Sequence, residues 1–538
     1  MENVSMKMQM VNFISIAIMG VLILACKNKE ATSLQPGEAT AINEEDLYRP
    51  NFHFTPKKGW MNDPNGMFFY NEYYHLFYQH YPDGNKWGPM HWGHAISTDM
   101  VRWQEQPIAL YPDELGYIFS GSAVVDHENT SGFGTNGEVP IVAIFTYHDP
   151  KKEGSGNTDV QTQGIAYSLD EGLTWIKYEE NPVLKNPGIP DFRDPKVFWD
   201  ARQSRWVMTL AAGQETQFYA SKNLKEWEFL SVFGTGIGNH EGVWECPDLF
   251  PLQIDGTEEI KWVHLVSINP GGPNGGSATQ YFIGDFDGTS FTIDEAFAKS
   301  MAKKHTYWVD FGKDNYAGVT WSDIPATDGR RLFMGWMSNW QYANDVPTFS
   351  WRSAMTVARK LHLMEDENGY RLKLSPVKEL RGFRGKKFKE ENVQVSGTRK
   401  IIGSDKIDLA KAEILFEIKN LHPTVYTFTL SNEVGDELVF GYNHENRQFF
   451  INRGKAGNTG FSENFGNQIS LAPRAYEENS LKGTIILDKT SLELFFDDGK
   501  TVMTEIHFPN SPYTTLNFEV ENEEVTLDLI EVHEINTN

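Results

Sequence analysis

Three carboxylates stand in similar company: Asp63 in "WMNDPNG" (60–66), Asp194 in "FRDPKV" (192–197) and Glu245 in "WECPDLF" (244–250). Each lies at or beside a proline turn that opens an apolar run, where the surroundings of a carboxyl group set its affinity for a proton. Two such groups of unequal affinity can cleave a glycosidic bond. One attacks the anomeric carbon as an anion, and the other protonates the leaving oxygen. Asp63, with Asn62 and turn amides beside it, suits the ionised role. Glu245 has less polar sequence neighbours, Trp244 and Cys246, which would raise its pKa. Arg193 would keep Asp194 ionised and could orient a sugar hydroxyl. Each string also has a plainer reading, as a turn, a salt-bridged corner or the edge of a core strand. The weight comes from their recurrence.

The elements that must carry these groups are strands. From about residue 48 to 360 the chain runs as short apolar segments broken by Gly, Pro, Asn and Asp, with almost no helical periodicity. "AISTDMVRW" (95–103), "AYSLDEGLTW" (166–175) and "YASKNLKEW" (219–227) form one loose repeat, each reading as a hairpin whose Trp returns to the sheet. A second repeat places a polar group ahead of an apolar strand at 63, 120, 194, 245 and, in "DFGKDNYAGVTW", 310; the intervals are 57, 74, 51 and 65 residues. Units of that size fit four-stranded blades, and five of them make a propeller. The innermost strands of a propeller line one central channel, which brings Asp63, Asp194 and Glu245 together. After 380 the alternating runs, such as "AEILFEIKN" and "TLNFEVENEEVTLDLIEVHEI", predict a β-sandwich, with 361–379 as connector. The fold class is therefore all-β: a propeller over 48–360 and a sandwich over 380–538.

The balance of 48 Lys plus Arg against 73 Asp plus Glu, a net charge of −25, argues against nucleic acid or an anionic membrane surface as partner. At the N-terminus, "VNFISIAIMGVLILAC" ends at Cys26 and reads as a secretion signal over 1–26, its "ILAC" resembling a bacterial lipobox. The alternative is a single membrane span, for which the run is short. Lipidation at Cys26 would leave a polar tether over 27–47 and an exported protein held to the cell envelope by lipid alone. Cys246, the only other cysteine, would then be a structural or site-lining thiol.

The three motifs, in that order, resemble those of glycoside hydrolase family 32, the family of invertases, inulinases and levanases. "QHYPDGNKWGPMHWGHAISTD", "FSGSAVVD", "QYFIGDFDG", "WVDFGKDNYAGVTW" and "GWMSNWQYA" extend the resemblance from about residue 51 to the C-terminus. It implies a five-bladed propeller with a C-terminal sandwich and a retaining mechanism. Asp63 would be the nucleophile, Glu245 the acid/base, and Asp194 the stabiliser of the oxocarbenium-like transition state. Asn62, Gln79, Trp87, Phe119, Ser120 and Arg193 match positions that line the pocket for a terminal fructose. Asp310 and Lys313 match a polar pair from the fifth blade, and Trp340 an aromatic wall. Asn315 stands where an aromatic residue is expected.

His75, His80, His91 and His94 invite a metal reading, but they fall on strand and loop without a zinc-type framework, so hydrogen-bonding or packing is the expectation. Neither metal nor cofactor is expected. The predicted activity is release of terminal fructose from levan or inulin and from sucrose. Endo-cleavage, fructosyl transfer and a non-catalytic fructan-binding lipoprotein remain alternatives. The residues do not specify linkage preference or oligomeric state.

Overall fold

The computed structural model describes residues 47–304, 307–366 and 369–537. The secretion signal, Cys26 and nearly all of the predicted tether lie outside the described residues. Among those residues, no helix is long and apolar enough to cross a membrane.

Residues 59–376 form five sheets of four or five strands each. Their innermost strands are Gly59–Tyr70, Tyr117–Val125, Phe192–Asp200, Val243–Gln253 and Tyr316–Thr320, the first strands of blades I to V. Trp351–Arg352, late in the chain, pairs in parallel with Gly59–Trp60 and ties blade V back to blade I. The Ser-turn repeat occupies the same corner of three blades. Ser97, Ser168 and Ser221 each share a hydrogen bond with the Asp or Asn two residues on, at the end of the third strand. Burial of Trp60, Trp92, Trp244, Trp321 and Trp336 between the sheets supplies much of the packing, each ring removing a large apolar area from water.

Every inner strand slips by a residue against its neighbour near its channel end, and Gly59–Tyr70 slips a second time between Asn65 and Phe68. The channel-end slips fall between Met61 and Pro64, Ile118 and Gly121, Arg193 and Lys196, Glu245 and Asp248, and Tyr316 and Val319. Pro64, Pro195 and Pro247, which cannot donate to a ladder, sit in or at these bulges. Asp194, Cys246 and Ala317 take left-handed backbone there, with φ of 64°, 45° and 53°. A bulge re-aims side chains, and these five aim theirs at one mouth of the channel.

Two boundaries differ from expectation. Residues Arg359–Asp366 and Gly369–Pro376 pair over eight residues as the outer hairpin of blade V, so the propeller runs to Pro376. The connector shrinks to the 3-10 turn Lys378–Phe383. In the sequence, the charged stretch Glu365 to Asn368 interrupts the short alternating runs of the two strands, which is why 361–379 resembles a linker. The inner strand of blade V also begins at Tyr316 rather than near 310.

The C-terminal strands form a two-layered sandwich joined by two long strands, Arg384–Gly403 and Thr515–Ile535. One half of Thr515–Ile535 pairs with Val425–Ser431, the other with Lys411–Lys419. The long pair bends at a register slip beside Gly397, whose φ is 73°. Sandwich and propeller meet along Phe311–Asp314, whose amides bond to Val502 and Thr504.

Candidate active site

The bulges of the inner strands surround a cavity of about 380 Å³ at one mouth of the channel. Asp63, Asp194 and Glu245 line it together with Asn62, Gln79, Trp87, Phe119, Ser120, Arg193 and Trp340. The structure thus brings together ten of the residues singled out from the sequence.

Asp63 is held from two sides. Asn62 Nδ2 donates to its Oδ1 (2.9 Å) and Ser120 Oγ to its Oδ2 (2.8 Å). Asn62 is itself oriented by Trp60 Nε1 (2.6 Å), and Trp340 stacks on the Trp60 ring at 5.8 Å. Burial nevertheless raises the Asp63 pKa, helped by the charge of Glu245, while the two hydrogen bonds pull the other way. Asp194 accepts the amide of Cys246 on the next blade (3.0 Å). Burial pushes its pKa up to about 7; the Arg193 charge opposes this, and Glu245 and Asp63 reinforce it.

Arg193 departs from its expected role. Its guanidinium meets Asp191 Oδ1 at 2.5 Å and Glu245 Oε1 at 2.8 Å and lies 3.9 Å from Asp194, so its close partners are Asp191 and the glutamate across the blade boundary. Glu245 also accepts the hydroxyl of Tyr316 at Oε2. Its partners are therefore polar, unlike Trp244 and Cys246 beside it in sequence, because they come from neighbouring blades. Tyr316 is kept protonated by burial and by Glu245, which push its pKa well up. The Cys246 thiol lies 3.5 Å from Asp63 Oδ2 and 3.6 Å from Asp194 Oδ2. Burial and the surrounding carboxylates raise its pKa well above the usual thiol value, so it remains a neutral donor between them. The thiol is thus buried behind the cavity wall, between two of its carboxylates.

The rest of the pocket is ready for hydroxyl groups and a ring face. Gln79 is buried, and its Nε2 has no hydrogen-bond partner among the described residues. Trp87, 41% exposed, meets Phe119 edge-on at the rim (6.0 Å).

Asp310 and Lys313 lie elsewhere. Asp310 accepts Thr504 N and Arg359 Nη1, both at 2.8 Å, in the seam with the sandwich, and Asn315 bonds to it there. Lys313 Nζ donates to Asn464 O (2.8 Å) in that seam. The aromatic sought at Asn315 stands one residue on, as Tyr316, whose hydroxyl reaches Glu245 while the Asn315 amide turns to Asp310. Tyr316, His148, Gln161 and Asp191 were missed. Asp191 was within reach, since it lies two residues before Arg193 and pairs with it. His148 and Gln161 sit on neighbouring strands of blade II with no motif around them. The four blade I histidines are engaged internally: His75 with His94 (3.0 Å), His80 with Trp60 O (2.8 Å) and His91 with Pro89 O (2.9 Å).

Three crowded carboxylates, hydroxyl-binding amides and aromatic walls at one mouth of a propeller define a glycosidase. The model for "Glycosyl hydrolases family 32 N-terminal domain" matches residues 53–376, and that for the family's C-terminal domain matches 379–534. The chain belongs to glycoside hydrolase family 32. It is 45% identical over 522 residues to a levanase of Bacillus subtilis, covering 97% of this chain and 74% of that one. It is 38% identical over 507 residues to an extracellular exo-inulinase of Aspergillus niger, covering 88% and 92%. The solved exo-inulinase of Aspergillus awamori superposes with a TM-score of 0.82 at 33% identity, covering 92% of this chain and 99% of that one. A β-fructofuranosidase of Schwanniomyces occidentalis, solved with fructosyl-erythritol, gives 0.81 at 34% identity, covering 93% and 99%.

Proposed function

We propose that the protein removes terminal fructosyl units from fructans with retention of anomeric configuration, using Asp63 as nucleophile and Glu245 as acid and base. The observation that carries this reading is that Asp63 and Glu245 line one small cavity, close enough for the charge of Glu245 to raise the proton affinity of Asp63. Asp63 attacks C2 of the terminal fructosyl unit, the C2–O bond to the rest of the chain breaks, and Glu245 gives its proton to the departing oxygen. Water then attacks the fructosyl-enzyme ester at C2. Glu245 takes the water's proton, the ester bond breaks, and Asp63 leaves as a carboxylate. Asn62 and Ser120 stabilise the Asp63 anion, which burial alone would disfavour. Asp194 binds ring hydroxyls as charge develops at C2. Arg193 fixes the Glu245 carboxyl, and Trp340 offers a wall to the sugar's C–H face.

The relatives named levanase and exo-inulinase support levan and inulin as substrates, with sucrose as a short one. Relatives described as extracellular, together with the "ILAC" segment, support export and a lipid at Cys26. The deciding experiment is product sizing on levan and inulin. Fructose as sole early product supports terminal release; early oligosaccharides contradict it, and silence on every fructan would favour a binding protein. Cys26→Ala should release the protein from the envelope.

A further inference from the structure

The inner strands that carry the carboxylates at one end line a second, larger cavity of about 950 Å³ at the other. It is built from Val124–Asp126, the stretch around Asp200, the Asp248–Pro251 segment and Ser322–Asp323, all at the far ends of inner strands. Nothing in the fructosyl chemistry uses it.

Three of its features are unsatisfied in complementary ways. The Arg331 guanidinium lies 4.8 Å over the Phe250 ring and forms no salt bridge among the described residues, although the charge of Asp248 reaches it. Asp200 is 4% exposed, and its Oδ2 has no hydrogen-bond partner among the described residues, while Oδ1 is taken by Arg202. Trp199 is 37% exposed and braced edge-on by Trp206 at 5.0 Å. Free donors, a free buried acceptor and an open, rigid ring beside one another suit a ligand rich in hydroxyl groups with an apolar ring face. Buried polar atoms rarely go unpaired without a reason. The lining carries six Asp or Glu against three Lys or Arg, so an anion would meet net repulsion. A neutral oligosaccharide meets all three demands.

We infer that this second mouth is a non-catalytic binding site for neutral fructo-oligosaccharide segments, which holds the polymer near the pocket that trims it. The choice of fructan rests on the functional reading above; the class, a neutral oligosaccharide, rests on the cavity. A second contact on a polymer raises the local concentration of chain ends without touching the chemistry.

The test uses the full chain. In the Asp63→Ala background, a fructo-oligosaccharide of about five units is titrated calorimetrically, then again with Trp199→Ala or Arg331→Leu added. Loss of one class of binding site in both added variants, with melting temperature unchanged, supports the inference. Binding unaffected by either variant, or displacement of the sugar from that site by inorganic phosphate, overturns it. In otherwise native enzyme, the same two variants should leave kcat and KM for sucrose within twofold and raise KM for polymeric fructan at least threefold; an unchanged polymer KM counts against the inference. Should the native enzyme release no fructose, the functional reading fails, while the titration still decides whether this cavity binds sugar.

Discussion

Two of the groups of buried charge among the described residues are built on opposite accounts. In the seam between propeller and sandwich, Arg359 bridges Asp310 and Glu493 at 2.8 and 2.6 Å, and His53 bridges Glu493 and Asp488 at 2.8 and 2.9 Å. Burial opposes each charge, yet the opposite charges prevail: Asp488 and Glu493 are held below the usual carboxylate range, and His53 is raised to about 9. At the channel mouth, Asp63, Asp194 and Glu245 have one guanidinium, Arg193, which Asp191 also claims. There burial and like charge prevail, and Asp63 and Asp194 are pushed up. Burial alone therefore does not mark a site. At the channel mouth it is the excess of one sign within an open cavity that leaves a proton for chemistry to use.

The sharpest way to break this contrast is to remove a carboxylate from each group. Asp63→Asn and Glu245→Gln should each cost roughly 10⁴-fold or more in kcat/KM on fructan without lowering the melting temperature. Turnover within tenfold of native in either would end the catalytic assignment. In the seam, Arg359→Met strands two buried carboxylates. Denaturant unfolding should show a loss on the order of 3–5 kcal/mol, while the folded fraction keeps its kcat.

The pH dependences sharpen the comparison further. Asp194 has a folded pKa of about 7, above its unfolded value, so the folded state binds the extra proton and loses stability as pH rises from about 4 to 7. Asp194→Asn should therefore be catalytically crippled yet more stable than native at pH 7, by on the order of 2–4 kcal/mol relative to their difference at pH 4. Equal stability at both pH values would contradict the raised proton affinity. His53 behaves in the reverse sense. Its contribution is full below about pH 6.5, fades as pH rises, and is gone above about 9. His53→Gln should thus destabilise the protein most near pH 6, by about 2–3 kcal/mol more than at pH 10.

The sequence carried the propeller well because blade punctuation is local. Proline at a bulge and serine at a corner act within a few residues, so "NDP", "RDP" and "ECP" mark three blades directly. The channel mouth was legible for the same reason: each bulge delivers its own side chain. The seam was not. Asp310 precedes an apolar run just as Asp63 does, and only its partners, Arg359 and Thr504, separate a structural anchor from a sugar ligand. Those partners lie 49 and 194 residues away, beyond any spacing argument. The environment of Glu245 failed similarly. Trp244 and Cys246 are its neighbours along the chain, whereas Arg193 and Tyr316 are its neighbours in space.

The proton retained at the channel mouth can be observed directly. In protein labelled with carbon-13 at the aspartate side-chain carboxyl, one resonance should titrate near pH 7 and vanish in Asp194→Asn, while that of Asp488 stays ionised to below the ordinary range. An Asp194 resonance titrating with the surface aspartates, near 4, would contradict the account of an acid-rich, undercompensated site.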